Sequence, residues 1–162
     1  MQYYYSKIME ILIVYDSLHG NTEKIAVAMG EALSKSNKVN VVKVINTKDI
    51  VLQDYELIII GSPTNGGQPT SQVKSFIDSI PNEALAGKNV ATFATGTTMD
   101  GQGLIGKTAI KIFGYAGERI GKMLKDKGAN LLSFENFLVK GWEGPIVEGE
   151  IERAQKWATS LV

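Results

Sequence analysis

The chain has 162 residues, 44% hydrophobic and 21% charged, and its 17 basic and 17 acidic side chains cancel. That length fits one folded domain with a sizeable core, and the balance excludes intrinsic disorder, coiled coil and collagen. With no cysteine and a single histidine, disulfides, iron–sulfur clusters, thiol nucleophiles and cysteine- or multi-histidine metal sites are excluded, and zero formal charge offers no footprint for nucleic acid or an anionic membrane.

Residues 1–8 read as an N-terminal extension and 9–162 as a single domain. Met1 to Ile8 hold one lysine and three tyrosines, which is no signal peptide. The longest apolar runs, Ile11–Tyr15 and Leu57–Ile60, fall far short of the roughly 20 residues of a membrane span. A cytoplasmic protein is expected.

Ile11 to Tyr15 predicts a buried strand. Asn21 to Ser34 predicts a helix, with Ile25, Met29, Ala32 and Leu33 on one face. Val39 to Ile45 predicts a second strand. Leu57 to Ile60 predicts a third, stopped by Gly61. Thr70 to Ile80 predicts a helix with Val73, Phe76, Ile77 and Ile80 inward, capped at Pro69 or Thr70 and ended by Pro81. Asn89 to Ala94 predicts a fourth strand. Gly114 to Lys127 predicts a helix closed by Gly128 at the C′ position. Leu131 to Val139 predicts a bent fifth strand. Glu148 to Leu161 predicts a last helix with Ile151, Ala154, Ala158 and Leu161 inward. Trp142 and Trp157 are expected to pack.

Strands alternating with helices imply an α/β fold: a parallel sheet covered on both faces. Ligands of such sheets lie beyond the carboxyl ends of the strands, near the switch point. Three loops fall there. The first, Asp16 to Thr22, offers Ser17, Asn21 and Thr22 around Gly20 at a helix start. Unpaired N–H groups and the helix dipole suit a phosphate held without a cation. It has neither the lysine of a Walker loop nor the three-glycine dinucleotide spacing. The simpler alternative, a helix cap at Asn21 or Thr22, explains one residue of the run. The second loop, Gly61 to Thr70, holds Pro63 and Pro69 around Gly66 and Gly67, and a plain turn is its alternative. The third, Thr95 to Gly103, lies in the glycine-rich stretch Gly96 to Gly106, and a surface loop is its alternative. Donor-rich loops at three strand ends favour one cofactor site. Asp16 could also suggest a receiver-like phosphoacceptor, but the acidic pair such a site needs is missing.

Val14-Tyr15-Asp16-Ser17-Leu18-His19-Gly20-Asn21-Thr22-Glu23 resembles the phosphate loop of short-chain flavodoxins. Gly61-Ser62-Pro63-Thr64 with Gly66-Gly67 resembles their second flavin loop, and Gly141 to Trp157 resembles the close of small flavodoxin-like proteins. The likeness runs from about Met9 to the C-terminus. It implies a doubly wound, five-stranded parallel sheet in order 2-1-3-4-5, with helices on both faces and one non-covalent FMN. It implies an electron carrier between redox proteins, an unidentified reductase and acceptor, more than a turnover enzyme. An NAD(P)H-dependent quinone or FMN reductase of the same fold is the alternative. A monomer that binds neither nucleic acid nor membrane is expected.

Carried over, Ser17, Leu18, His19, Gly20, Asn21 and Thr22 would hold the phosphate. Pro63, Thr64, Asn65, Gly66 and Gly67 would lie along one side of the flavin ring. Thr95, Gly96, Thr97, Thr98 and the residues up to Gly103 would meet its pyrimidine edge and other side. A peptide at Gly66 or Gly67 would turn a carbonyl toward N5–H of the half-reduced flavin. His19 would be a charged phosphate contact or, as is preferred, a solvent-facing side chain. Asn65 stands where many flavodoxins place a stacking aromatic, and no aromatic follows in the third loop before Phe113. The flavin faces are then more exposed, or covered by Met99, Leu104 or a partner. The neutral charge departs from the acidic family norm.

Overall fold

The computed structural model describes residues 6–97 and 115–162. Five strands, β1 (Glu10–Tyr15), β2 (Lys38–Lys43), β3 (Leu57–Pro63), β4 (Asn89–Thr97) and β5 (Asn130–Val139), form one sheet. The order is β2-β1-β3-β4-β5 and every pairing is parallel. The described α-helices are α1 (Asn21–Leu33), α2 (Ser71–Ser79), α3 (Ala116–Asp126) and α4 (Glu150–Thr159).

The sheet separates two apolar layers because successive strand residues point to opposite faces. Ile11, Ile13, Ile59 and Phe93 pack with Ile25 and Met29 of α1 and Ala154 and Ala158 of α4. Leu12, Val14, Ile58 and Ile60 pack with Val73 and Ile77 of α2 and Ile120 and Leu124 of α3. Burial on both faces explains why β1 and β3 read as continuous apolar runs rather than alternating ones. The helix faces match the periodicity of the sequence.

Several expected boundaries move. β2 stops at Lys43, and Val44–Asn46 forms a 3-10 turn. Thr47 Oγ1 donates to the Val44 carbonyl at 2.8 Å, which closes that turn. Gly61 does not stop β3. It pairs with Phe93 on β4, and a β-carbon at Gly61 would lie inside the Phe93 ring, so the glycine admits the aromatic. β4 runs three residues past Ala94, because β5 continues opposite it as far as Thr97↔Val139. Thr95, Gly96 and Thr97 are therefore strand, not loop.

β5 is bent as expected. Val90 pairs with Leu131 and Ala91 with Ser133, leaving Leu132 as the extra residue of a bulge. The helices fall one to four residues short of their sequence patterns: Thr70 caps α2, and Gly149 with φ +86° precedes α4. Gly114 lies outside the described residues. Gly128 takes φ +91° after α3, the left-handed position expected of it. Ahead of β1, Ser6 to Ile8 are exposed, and Lys7 Nζ meets Glu56 Oε2 at 2.6 Å.

Trp157 packs as expected, its ring 5.9 Å from Phe137 and its Nε1 donating to Ser133 Oγ. Trp142 does not: it is 76% exposed, because it rides on the turn after β5 and not against a sheet face.

Gly61→Ala is expected to lower stability by about 1–3 kcal/mol through overpacking against Phe93. Urea unfolding reads this, and Phe93→Leu in the same background should restore part of the loss. An unchanged midpoint for Gly61→Ala would refute the close-approach account.

Candidate functional site

The chain crosses from one side of the sheet to the other between β1 and β3, so the loops after these strands open side by side. The Asp16 N–H donates to the Gly61 carbonyl at 3.1 Å, tying the two exits together. Buried Asp16 then turns its Oδ1 to accept the Ser17 N–H at 2.9 Å. Ser17 Oγ accepts the N–H groups of Gly20 and Glu23, at 3.1 and 3.3 Å. Gly20, at φ +89°, is the N-cap of α1 and has no side chain to cap with. The first in-helix bond runs from Lys24 N–H to the Gly20 carbonyl. The N–H groups of Asn21 and Thr22 precede it, at the positive end of the helix dipole.

Leu18 and His19 are exposed at the loop's tip. Burial, and secondarily the Glu23 carboxylate, hold the Tyr15 phenol above its usual range, so it stays neutral below this loop.

Thr22 reaches across to β4. Its Oγ1 lies 2.7 Å from Thr95 Oγ1, and both residues are buried. The two hydroxyls carry two hydrogens and need one for this bond, so one O–H remains to donate. The second loop joins the same edge. Thr64 N–H donates to the Thr95 carbonyl at 2.8 Å. Thr64 Oγ1 accepts Ala116 N–H at 3.1 Å, supplying the start of α3 with the cap that Tyr115 does not.

Ser62 Oγ accepts Thr70 N–H at 3.0 Å and donates to the Pro63 carbonyl at 2.8 Å, bracing the loop's two ends. Between them, Asn65 and Gln68 exchange N–H···O bonds of 2.9 and 3.0 Å. Gly66 and Gly67, at φ +57° and +78°, form the two-residue turn, the pattern that favours glycine at both central positions. Gly67 is buried, while Asn65 and Gly66 are exposed.

At the end of β4, a β-carbon on Gly96 would stand 3.0 Å from Tyr115 Cε1, so the ring lies close against this backbone. Burial pushes the Tyr115 phenol up, and it too stays neutral. Thr97 Oγ1 is buried without a hydrogen-bond partner, as is Asn136 Oδ1 on neighbouring β5. Thr98 and Gly103, together with Met99, Leu104 and Phe113, lie outside the described residues.

The structure thus brings Ser17, Gly20, Asn21, Thr22, Pro63, Thr64, Gly66, Gly67, Thr95, Gly96 and Thr97 to one edge of the sheet. Sequence reading missed Tyr115, Asn136, Glu143 and Gly144. Asn21 Nδ2 donates to the Glu143 carbonyl at 3.1 Å across 122 positions of chain. The Glu143-Gly144-Pro145 run signals a turn, but nothing local says where that turn returns.

Behind this turn, Glu150 fixes β5 to α4. Its Oε2 accepts Leu138 N–H at 2.7 Å, and Arg153 Nε donates to its Oε1 at 2.7 Å. Arg153 also meets Glu135 at 3.2 Å and lies over the Phe137 ring. Hydrogen bonding from Arg153 above all, and from Leu138 N–H, holds the Glu150 carboxyl below the usual range despite its burial. Among the described residues no cluster of His, Asp or Glu could hold a metal, and no helix is long and apolar enough to cross a membrane.

Fixed N–H groups at a helix start, a side-chain-free turn and an unpartnered hydroxyl at the next strand end suit a cofactor that joins a phosphate to a planar polar ring. They make up an α/β domain with a candidate site for such a group at its switch point. The family model for flavodoxin matches residues 13–157, and the chain belongs to the flavodoxin family. FMN is the cofactor that membership implies, and the donor set fits it.

A flavodoxin of Clostridium saccharobutylicum is 33% identical over 96 residues, 57% of this chain and 59% of that one. The match therefore spans less than two-thirds of that relative's length. Oxidised flavodoxin 2 from Bacillus cereus superposes with a TM-score of 0.69 at 29% identity, over 94% of this chain and 97% of that one. A Streptococcus pneumoniae flavodoxin superposes with a TM-score of 0.72 at 22% identity, over 94% and 97% of the two chains, which speaks to the fold alone.

Two expectations follow. Thr95→Val strands the buried Thr22 hydroxyl and should lower the stability of the cofactor-free protein by about 1–3 kcal/mol. The Thr22→Val, Thr95→Val double variant should lose less than the sum of the single changes, measured by denaturant titration, because it removes both partners.

Because the folded-state pKa of Glu150 is depressed, its contribution is present above the unfolded glutamate value, about 4.3. It is lost as pH falls through the folded value. Unfolding free energy from pH 7 into the acid range should fall more steeply in the wild type than in Glu150→Gln. Equal slopes would remove Glu150 from the account.

Proposed function

We propose that this chain is an FMN-binding carrier that moves single electrons between a reductase and an acceptor, as a monomer in the cytoplasm. The observation that carries the reading is the convergence of the first two loops on the end of β4. Thr22 meets Thr95 at 2.7 Å and Thr64 meets Thr95 at 2.8 Å. One ligand can therefore touch the helix start, the glycine turn and the end of β4 together.

The N–H groups of Asn21 and Thr22, with the spare hydroxyl hydrogen of the Thr22–Thr95 pair and that of Ser17, would hold the phosphate. Pro63, Thr64, Asn65, Gly66 and Gly67 would border one side of the ring, and Thr95, Gly96 and Thr97 the other. Thr97 Oγ1 would find its missing partner there. Leu18 and His19 would contribute their backbone, since both side chains are exposed. FMN, when bound, supplies two separable one-electron steps.

The protein's own part is the turn at Asn65–Gln68. A β-carbon on Gly66 would meet nothing within 4 Å, so backbone conformation alone selects glycine there. The turn can offer a carbonyl to a proton newly placed on the ring. Residues 9–162 would act as one domain, with 1–8 as an extension outside the site.

Anaerobic dithionite titration of the FMN-loaded protein tests the proposal. Two well-separated one-electron steps are expected. Gly66→Ala and Gly67→Ala should still bind oxidised FMN but bring the steps closer. A strain of about 1–2 kcal/mol for a non-glycine residue at positive φ corresponds to roughly tenfold in the disproportionation constant. A wild-type protein that takes two electrons in one step, and oxidises NAD(P)H with quinone unaided, would instead be the two-electron reductase of the same fold.

A further inference from the structure

β5 ends at Val139, and the chain turns back at once. The Lys140 N–H donates to the Pro145 carbonyl at 2.8 Å, the Val147 N–H donates to the Leu138 carbonyl at 2.9 Å, and Val139 bridges Ile146. The turn so closed lies against the first residue of α1. Asn21 Nδ2 donates to the Glu143 carbonyl at 3.1 Å. A β-carbon on Gly144 would stand 2.7 Å from Asn21 Oδ1, 3.0 Å from Nδ2 and 3.2 Å from Cγ. The Oδ1 and Nδ2 edge of the amide therefore faces the Gly144 backbone, with Cγ behind it, and Gly144 takes φ +105°.

We propose that Asn21 is a positioning residue: its side chain fastens the 140–145 turn to the start of α1 and serves the cofactor phosphate through that clasp, not by touching it. The phosphate part rests on the FMN reading above.

Three points of chemistry support this. A carbonyl acceptor at Glu143 leaves one orientation for the amide, nitrogen toward it, since oxygen there would repel. The amide is enclosed by the turn, and Asn21 is only 8% exposed. The N-cap of α1 is a glycine with no side-chain cap, so the first turn of the helix needs ties from elsewhere. Ser17 Oγ ties one side of the loop, at Gly20 and Glu23. Asn21 ties the other side. Fixed N–H groups bind an anion well only while their direction is held.

The test has two arms. In the cofactor-free protein, Asn21→Ala should speed hydrogen exchange at the Lys140 and Val147 amides by about tenfold, the effect of losing roughly one net hydrogen bond from the closed state. A side chain that served only as a phosphate ligand would leave these amides unchanged, and that result would overturn the proposal.

In the second arm, FMN and riboflavin are titrated into wild type, Asn21→Ala, Gly144→Ala and the double variant. Each single change should weaken FMN by about tenfold and riboflavin hardly at all, and the double variant should again lose about tenfold, because both changes break one clasp. A hundredfold loss in the double variant, or an FMN loss with Asn21→Ala that Gly144→Ala does not share, would overturn it. If Gly144→Ala does not fold, the exchange arm still decides. Should the wild type not bind FMN at all, the functional reading fails, and the exchange arm then judges the clasp by itself.

Discussion

In a parallel sheet, the register of the strands decides which loops can share a ligand. Here Tyr15 pairs with Gly61 and Pro63 with Thr95, so β3 runs two residues past the end of β1, and β4 two residues past the end of β3. Gly61 stands at the level where β1 ends. Its missing side chain lets the Phe93 ring lie across β3, and Phe93 in turn meets Phe137 edge-on at 6.2 Å. Edge-to-face pairs of this kind add about 0.5–1.5 kcal/mol beyond their burial. One aromatic thus packs at the level where β1 gives way to its loop.

Strand ends buried at a cleft bring polar groups with them, and each needs a partner. The chain meets this need by pairing loops with one another. Asp16 N–H takes the Gly61 carbonyl, Thr64 N–H takes the Thr95 carbonyl, and Ala116 N–H takes Thr64 Oγ1. Each bond satisfies a buried group and fixes a distance between two loops. Thr97 Oγ1 and Asn136 Oδ1 stay without a partner at the end of this series. A buried polar atom left unpaired costs about 1–3 kcal/mol, and a ligand edge at that place would recover it.

The fold was legible where periodicity is strong. The apolar runs of β1 and β3 and the inward faces of α1 and α2 follow directly from residue spacing. The boundaries that moved did so for reasons no local window contains. Gly61 reads as a strand end until Phe93 is known to lie over it. Thr95 to Thr97 read as loop because Gly96 opens a glycine-rich stretch and glycine is depleted in strands, yet Phe137, Leu138 and Val139 on β5 supply the ladder that extends β4. The same holds for the site. The donors of Asp16–Thr22 are contiguous and could be read together, whereas Tyr115 and Gly144 enter only through the fold. Trp142 misled because large aromatics usually pack, and its neighbours do not reveal that it sits on a turn.

In the proposed site, the anion end would draw on neutral donors: backbone N–H groups and the hydroxyls of Ser17 and Thr22. A lysine would bring its charge on a flexible stem and remain useful in many poses. A backbone N–H helps in one direction only, so the strength of such a site rises with the rigidity of the loop that carries it. This accounts for how many ties converge on a loop this short. Asp16 fixes Ser17, Ser17 fixes Gly20 and Glu23, Thr22 is held by Thr95, and Asn21 is held by the turn after β5. The last of these ties reaches through Leu138 to Glu150 and Arg153, so the far end of the chain shares in the aim of the first helix. With 17 charges of each sign, the chain also lacks the surplus of negative charge that would repel an anionic ligand at long range, so the affinity of the proposed site would depend chiefly on these short, directed contacts.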